Sequence, residues 1–358
     1  MEDGAHIDTA GAAPLASPLR TSNLRIDSDD DLLLLQLVMG AQPTLLIVAA
    51  AEAKVFDRLG DARLSAADIA QLASLDPRAT RLVLDALVGL GLLVKNGPLY
   101  ENTPTAKRHL RVEGSNSSAV RLWIAGTRQW ERLPSILKTG KVPAADDGAE
   151  TWLNHGSGNP AFVRAMLDLG WMTAQSVVEA IDLTGVSHLV DLGAGPGRHA
   201  IAMLERYPSL RATLVDLPLA LMVAGDAIRR RRLDDRVDLR ACDLYAPDAD
   251  IPVQPGSANV VLISHVLHLE SAQQNQRLIG QAAALLAPGG RLLIHDMFLE
   301  DDGTHPQMSS MFAVHMLATT PRGEVYPTTV IGGWLEQAGL EARVLSTSPF
   351  LIEGARAG

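Results

Sequence analysis

The stretch Val190-Asp191-Leu192-Gly193-Ala194-Gly195-Pro196-Gly197 sets three glycines at alternate positions behind an apolar run that carries a carboxylate. Glycines so placed let the backbone turn sharply from a strand into a helix and approach a ligand with no Cβ in the way. The spacing is G-x-G-x-G rather than the G-x-G-x-x-G of dinucleotide folds, which disfavours a nicotinamide dehydrogenase. Alone, the loop reads equally well as a structural turn. Two acids add meaning. Asp216 ends the second expected strand, in Leu214-Val215-Asp216-Leu217-Pro218, where a carboxylate can accept hydrogen bonds from both hydroxyls of a ribose. Asp243, in Ala241-Cys242-Asp243-Leu244, stands where it can accept from an adenine amino group. Each acid taken singly reads as a helix cap or a solvated loop residue. Three ligand-side groups at successive strand ends, the edge where open α/β sheets bind ligands, seldom coincide by chance.

The next strand end carries Leu262-Ile263-Ser264-His265-Val266-Leu267-His268-Leu269. Imidazole titrates near neutral pH, so His268 is a candidate general base for a substrate hydroxyl. His265, three residues earlier, would share its face on a helical turn. The plainer reading of each is a hydrogen-bonded structural histidine. Asp296, Asp301 and Asp302 fall in a loop after a strand, where a solvated acidic loop is favoured over a divalent-ion site. No metal is expected. The single cysteine, Cys242, has no basic neighbour and reads as a small buried filler.

These residues need a scaffold, and its rhythm is visible from Val186 onward as strand, turn, helix. Expected strands are His188–Leu192, Ala212–Asp216, Val237–Ala241, Val260–Ser264 and Arg291–Asp296, with helices at Ala200–Tyr207 and Gln273–Leu286. Alternating β and α with apolar strands implies a mostly parallel sheet covered on both faces. Ala342–Thr347 and Phe350–Glu353 read as two closing strands with no helix between them.

The first half follows a different pattern. Ser65-Ala66-Ala67-Asp68 has the form of a capping box, and Asp76-Pro77 puts an N-cap acid before a proline at the first helical position. That second helix carries Leu82, Leu84, Leu87 and Leu90 inward and ends near Gly91. Leu92–Lys95 and Leu99–Asn102 flank Asn96-Gly97, a hairpin turn. Helix, turn, helix, hairpin describes a winged helix. Leu32 to Ala51 is apolar enough to resemble a membrane span, yet Gln36, Gly40, Gln42 and Pro43 interrupt it, so two short buried helices are expected. The expected layout is a disordered tail at 1–28, a winged-helix domain at 29–115, a helical connector at 116–182 and an α/β domain at 183–358. Trp123, Trp130, Trp152 and Trp171 are spread along the connector, which is expected to roof the site; each reads alternatively as core packing.

Bulk properties narrow the partners. The 358 residues carry a net charge of −10, and residues 1–120 hold 11 Lys and Arg against 15 Asp and Glu. Phosphates require a basic face, so neither nucleic acid nor an anionic membrane is the expected partner, despite the winged helix. One cysteine excludes an internal disulfide, and no secretion signal is visible; a soluble cytoplasmic protein is expected.

Taken together, these residues make the sequence similar to the S-adenosylmethionine (SAM)-dependent O-methyltransferases of the plant caffeate and bacterial small-molecule type. The resemblance spans roughly Asp29 to Gly354. Its parts are the Asp191–Gly197 loop, Val215-Asp216-Leu217-Pro218, Cys242-Asp243-Leu244, Val266-Leu267-His268 and Pro288-Gly289-Gly290-Arg291-Leu292-Leu293-Ile294. Gly323-Glu324 and Trp334-Leu335-Glu336-Gln337-Ala338-Gly339 resemble the family's C-terminal pattern. The resemblance implies a Rossmann-like sheet, mostly parallel with a C-terminal antiparallel strand, behind a helical winged-helix domain that forms a homodimer. It implies SAM contacts at Asp191, Gly193, Gly195, Asp216, Leu217, Asp243, Leu244 and Ser264, with His268 as general base. Phe162 and Met166 look like the helix lining the acceptor pocket, and His265 and Glu324 are further candidates for contacting the acceptor. The sequence also departs from the plant pattern. Ser264 stands where plant members have Lys, Leu269-Glu270 replaces Asp-Trp, and the acids that orient the base are not clearly matched. Glu324 is the nearest candidate, and Ala313 falls where the other acid is expected.

The leading expectation is therefore methyl transfer from SAM to a hydroxyl of a small, aromatic or polyketide-like molecule. Transfer to sulfur or nitrogen is a close variant. A relative that binds SAM but decarboxylates or hydroxylates is a second class, disfavoured by the presence of His268. A non-enzymatic winged-helix regulator is a third, disfavoured by the acidic charge balance.

Overall fold

The computed structural model describes residues 29–112, 114, 120, 126–127, 129–142, 160–348 and 350–356. The expected tail at 1–28, Trp123, Trp152 and the side chain of Trp171 lie outside the described residues. The chain divides into two units, residues 1–117 and 118–358.

The first unit runs α1 (Asp29–Met39), α2 (Ala41–Glu52), α3 (Val55–Leu59), β1 (Leu64–Ser65), α4 (Ala66–Ala73), α5 (Pro77–Gly89), β2 (Leu93–Asn96), β3 (Leu99–Asn102) and α6 (Pro104–His109). The capping box forms as expected. The Ser65 hydroxyl accepts from the Asp68 N–H at 3.2 Å, and the Asp68 carboxylate accepts from the Ser65 N–H at 3.0 Å. Asp76 caps α5 by accepting from the Ala79 N–H at 2.7 Å. The strands form a sheet of order β1-β3-β2, the wing of a winged helix.

Three details differ from expectation. Asn96 pairs with Leu99, so the hairpin turns on Gly97-Pro98 rather than Asn96-Gly97. Gly97 has φ +59°, and the proline ring forbids positive φ at the second position, which excludes type I′ and leaves a turn with glycine first. On α5, Leu84 and Leu87 are fully buried but Leu82 is 46% exposed. At 100° per residue, Leu82 lies well off the face shared by 84 and 87. The third correction concerns α1 and α2, of whose described side chains only Val48 and Ala50 are buried. Leu33, Leu34, Leu37, Val38 and Leu45 are all more than half exposed. The break is also slight. Gly40 keeps helical dihedrals (φ −61°, ψ −21°), and Pro43 lies in the first turn of α2, where its missing N–H forfeits no helical bond. Leu32–Glu52 is 21 residues long and holds an 18-residue window of mean hydropathy 2.0, long and apolar enough by length and composition to cross a membrane.

The second unit contains α7 (Leu133–Thr139), α8 (Pro160–Ala180), β4 (His188–Leu192), α9 (Arg198–Arg206), β5 (Arg211–Asp216), α10 (Pro218–Arg230), β6 (Val237–Ala241), β7 (Ala258–Ser264), α11 (Ala272–Leu285), β8 (Leu286–His295), α12 (Gln307–Thr319), α13 (Thr328–Gln337), β9 (Glu341–Thr347) and β10 (Phe350–Ala355). The seven strands have the order β6-β5-β4-β7-β8-β10-β9. All neighbours from β6 to β8 are parallel, and β10 runs antiparallel to both β8 and β9. This is the expected Rossmann-like sheet.

Strand residues alternate between two cores. Val190, Leu192, Val261 and Ile263 join the core with α11 and α13. Leu189, Val260 and Leu262 join the opposite core with α8, α9 and α10. Both sets are apolar because both faces are covered, which explains why these strands read as continuous hydrophobic runs. The strand order reverses beside β4, the switch point at which such sheets open a crevice for ligands.

Candidate active site

The glycine loop leaves β4 at that switch point. Gly193 has φ +72°, and a Cβ there would lie 2.4 Å from Cγ2 of Val266, so the position requires glycine on both counts. Gly195, at φ +53°, faces open space instead. The loop is clasped to the end of β5. The Gly195 N–H donates to Oδ2 of Asp216 at 2.7 Å, and the Leu217 N–H donates to Oδ1 at 2.6 Å. Asp191 is 2% exposed just before the loop; burial, then the charge of Asp216, pushes its pKa up to about 7. Asp243 is exposed beyond β6 and accepts from the Tyr245 N–H at 3.0 Å, while Leu244 is buried. Ser264, at the end of β7, shares a hydrogen bond of 2.9 Å between its Oγ and Nδ1 of His295.

His268 sits in a short 3₁₀ turn, Leu267–Leu269, after β7 and is 8% exposed. Its Nδ1 lies 2.6 Å from Oδ1 of Asp296, the residue that follows β8. Asp296 is held from behind by main-chain donors. The Leu267 N–H reaches Oδ2 at 3.1 Å and the Met297 N–H reaches Oδ1 at 2.8 Å. Burial alone would raise the pKa of this acid, but the neighbouring His268 and its hydrogen bond outweigh burial and bring it down to about 2. An ionised carboxylate can only accept, so Nδ1 of His268 must donate, and the basic lone pair stays on Nε2.

This corrects two expectations. His268 has a carboxylate partner, and it is Asp296, which is 2% exposed rather than a solvated loop acid. Glu324 does not fill that role: its N–H donates to the His268 carbonyl at 3.1 Å while the residue itself is exposed. Asp301 and Asp302 are exposed, accepting from Thr329 and Thr304 respectively. Glu270 forms a two-pronged ion pair with Arg322 at 2.8 and 2.6 Å, and its carbonyl accepts from Tyr326, which secures the turn carrying His268.

His265 shares the neighbourhood of His268, but not through a helical turn. It is left-handed at φ +55°, its N–H donates to the His295 carbonyl at 2.8 Å, and its ring centroid is 6.0 Å from that of His268. His199 and His295 lie behind it with rings 5.4 Å apart, kept neutral by burial, which pulls their pKa values to about 3 and about 2. On the other side, Phe312 meets the His268 ring edge to face at 5.0 Å. His315 stacks between Phe312 and Trp130 and accepts from the Trp130 indole N–H at 3.2 Å. Phe312 and His315 were missed by sequence reasoning; Ala313, read there as an acid missing from the pattern, is their neighbour on α12. No motif marks them, since an aromatic on a helix usually signals core. Phe162 and Met166 are half-buried on α8, which is fastened to α9 by the Arg198 side chain donating to the Leu167 carbonyl at 2.8 Å.

Comparison with known proteins follows the same division. The family model described as O-methyltransferase domain matches residues 152–341, and that described as O-methyltransferase dimerisation domain matches residues 36–112. The chain is 31% identical over 316 residues to the tetracenomycin polyketide synthesis 8-O-methyl transferase TcmO of Streptomyces glaucescens, covering 86% of this chain and 90% of the relative. It is 28% identical to a 3-hydroxy-5-methyl-1-naphthoate 3-O-methyltransferase of Streptomyces sahachiroi, covering 86% and 88%. Among solved structures, human N-acetylserotonin methyltransferase in complex with SAM shares the fold at TM-score 0.76 and 22% identity, over 95% of this chain and all of that one.

Proposed function

The chain belongs to the O-methyltransferase family, and from that premise we propose that His268, oriented by Asp296, is the general base that deprotonates an acceptor hydroxyl during methyl transfer. The protein is a SAM-dependent O-methyltransferase of small molecules. The buried His268–Asp296 pair beside the glycine loop carries the assignment of roles. SAM, when bound, supplies an electrophilic methyl group on a sulfonium. The residues suit that group: Gly195 leaves open space for close approach, and Asp191 and Asp216 put two carboxylates at adjoining strand ends. Asp216 takes the ribose hydroxyls, and Asp191 offers negative charge toward a cation. Leu217, Asp243, Leu244 and Ser264 complete the proposed contact set.

Nε2 of His268 takes the hydroxyl proton as the methyl group arrives, and Asp296 stabilises the imidazolium that results. Phe312 and His315 are the aromatic surface against which a flat acceptor packs, and Phe162 and Met166 on α8 are further proposed acceptor contacts. Because TcmO acts in tetracenomycin polyketide synthesis and the second relative on a hydroxynaphthoate, the acceptor we favour is a phenolic hydroxyl on a polyketide-type aromatic. The exposed apolar face of α1 and α2 lies largely within the stretch that matches a dimerisation domain, so we propose that a second copy of the chain covers it.

Calorimetry with SAM, S-adenosylhomocysteine and NAD tests the cofactor assignment: one-to-one binding of both adenosyl ligands and none of NAD is expected. Failure of the folded protein to bind either adenosyl ligand would sink it. Asp216→Ala should weaken SAM binding by about 1–3 kcal/mol, the worth of hydrogen bonds to a charged acceptor. An unchanged affinity would remove Asp216 from the site.

The raised pKa of Asp191 adds a pH dependence. In the free protein this acid is largely protonated below about 7. A cation placed nearby favours its ionised form and so lowers its pKa in the complex. SAM affinity should therefore rise as pH increases toward about 7 and level off above it, and Asp191→Asn should flatten the profile. Calorimetry between pH 5.5 and 8.5 reads both outcomes, roughly 1.4 kcal/mol being at stake for each unit of pKa difference.

A further inference from the structure

Asp296 faces two histidines, of which the proposed mechanism uses only one. Nδ1 of His268 lies 2.6 Å from its Oδ1 and Nδ1 of His265 lies 3.8 Å from the same atom. One donor atom from each of the three residues falls within 4.8 Å of the others. We propose that His265, His268 and Asp296 form a binding site for a borderline divalent cation of the zinc type, and that occupying it switches off the base.

The donor set is two imidazoles and one carboxylate, the composition of open metal sites that keep a coordination position free. A tetrahedral ion with bonds near 2.0–2.2 Å holds its ligand atoms roughly 3.4 Å apart. That value lies between the two distances to Asp296, so a modest parting from His268 and an approach by His265 suffice. His265 has room to move, since its side chain is 35% exposed. Its backbone is fixed: the N–H is tied to the His295 carbonyl, and φ is +55°, a left-handed conformation that a histidine seldom adopts. That conformation turns the residue toward Asp296. The carboxylate is aligned in advance by the Leu267 and Met297 N–H groups, the kind of outer support that metal-binding carboxylates have.

Competition with catalysis follows from the tautomer and rests on the proposed role of His268. With the proton on Nδ1, Nε2 carries the lone pair that accepts a substrate proton. A cation bound at Nδ1 takes the place of that proton, which moves to Nε2, so the imidazole stays neutral and has no basic site left. Metal at Nδ1 and proton uptake at Nε2 thus exclude each other on one imidazole ring.

The test uses untagged full-length protein, freed of metal by chelator dialysis and titrated with Co²⁺ alone, then with Zn²⁺. The expected result is one Co²⁺ per chain with the intense visible absorption of a four-coordinate ion, displaced by Zn²⁺. His265→Asn keeps a residue that tolerates the left-handed backbone but removes the imidazole, and should weaken binding at least tenfold. Asp302→Asn, in the exposed Glu300, Asp302 and His305 group, should not change it. Histidine-labelled protein should show His268 changing from the Nδ1–H to the Nε2–H tautomer when Zn²⁺ is added, seen by long-range proton–nitrogen correlation. No binding at micromolar metal, binding indifferent to His265→Asn, or an unchanged His268 tautomer would each overturn the proposal. None of these readouts needs SAM or an acceptor, so failure here is distinguishable from failure of the methyl-transfer mechanism.

Discussion

Replacing His268 by alanine should lower turnover roughly 10²–10⁴-fold while leaving SAM affinity unchanged. The effect is large because Nε2 is the basic atom set in place by Asp296, and its loss leaves the acceptor proton to water. In barrier terms the loss is about 3–5 kcal/mol at 1.36 kcal/mol per tenfold change. SAM affinity should hold because Asp191, Asp216 and the glycine loop belong to β4 and β5, whereas His268 follows β7. Single-turnover assays with a phenolic acceptor, together with calorimetry, separate the two quantities. A variant that turns over normally would mean that the acceptor ionises without help or that the base lies elsewhere.

Asp296→Asn should reduce turnover by a comparable factor, roughly 10²–10⁴, and for a reason that can be distinguished from simple disruption. The amide keeps the shape of the carboxylate, and with its NH₂ in the place of Oδ1 its oxygen still accepts from the Leu267 N–H while the Met297 bond is lost, so the fold should persist. Its NH₂, however, can donate to Nδ1 of His268, which moves the imidazole proton to Nε2 and removes the basic lone pair. The negative charge that stabilises the imidazolium is also lost. The double variant should be little worse than either single one, because the two residues act as a unit. Additive losses, or a His268 that keeps its Nδ1–H tautomer in Asp296→Asn, would reduce Asp296 to a structural role.

Much of this arrangement can be read from local pattern. The three glycines, Asp216 before Leu217-Pro218 and the apolar runs ending at Leu192 and Ser264 mark the strand ends directly, because strand burial and helix capping depend on neighbours in sequence. The Ser65 box and the Asp76-Pro77 cap are local in the same sense. Where a single residue's direction matters, local pattern is weaker. Leu82 was placed inward and lies outward, and the hairpin turned one residue later than its Asn-Gly signal.

Asp296 shows where local pattern ends. It lies 28 residues from His268, after a different strand, and nothing in its flanking sequence distinguishes it from Asp301 or Asp302. It meets His268 because β7 and β8 are parallel neighbours paired in register, Ser264 against His295, so that the residues just beyond each strand emerge side by side. Phe312 and His315 reach the same place from α12 by packing. The exposed face of α1 and α2 follows the same logic across chains: apolarity predicts that the face will be covered, but not by what. The sequence by itself therefore determined the sheet, the glycine loop and the candidate base, each set by residues adjacent along the chain. Only the tertiary structure decided which acid orients that base, because strand order and register create neighbours that sequence spacing does not record.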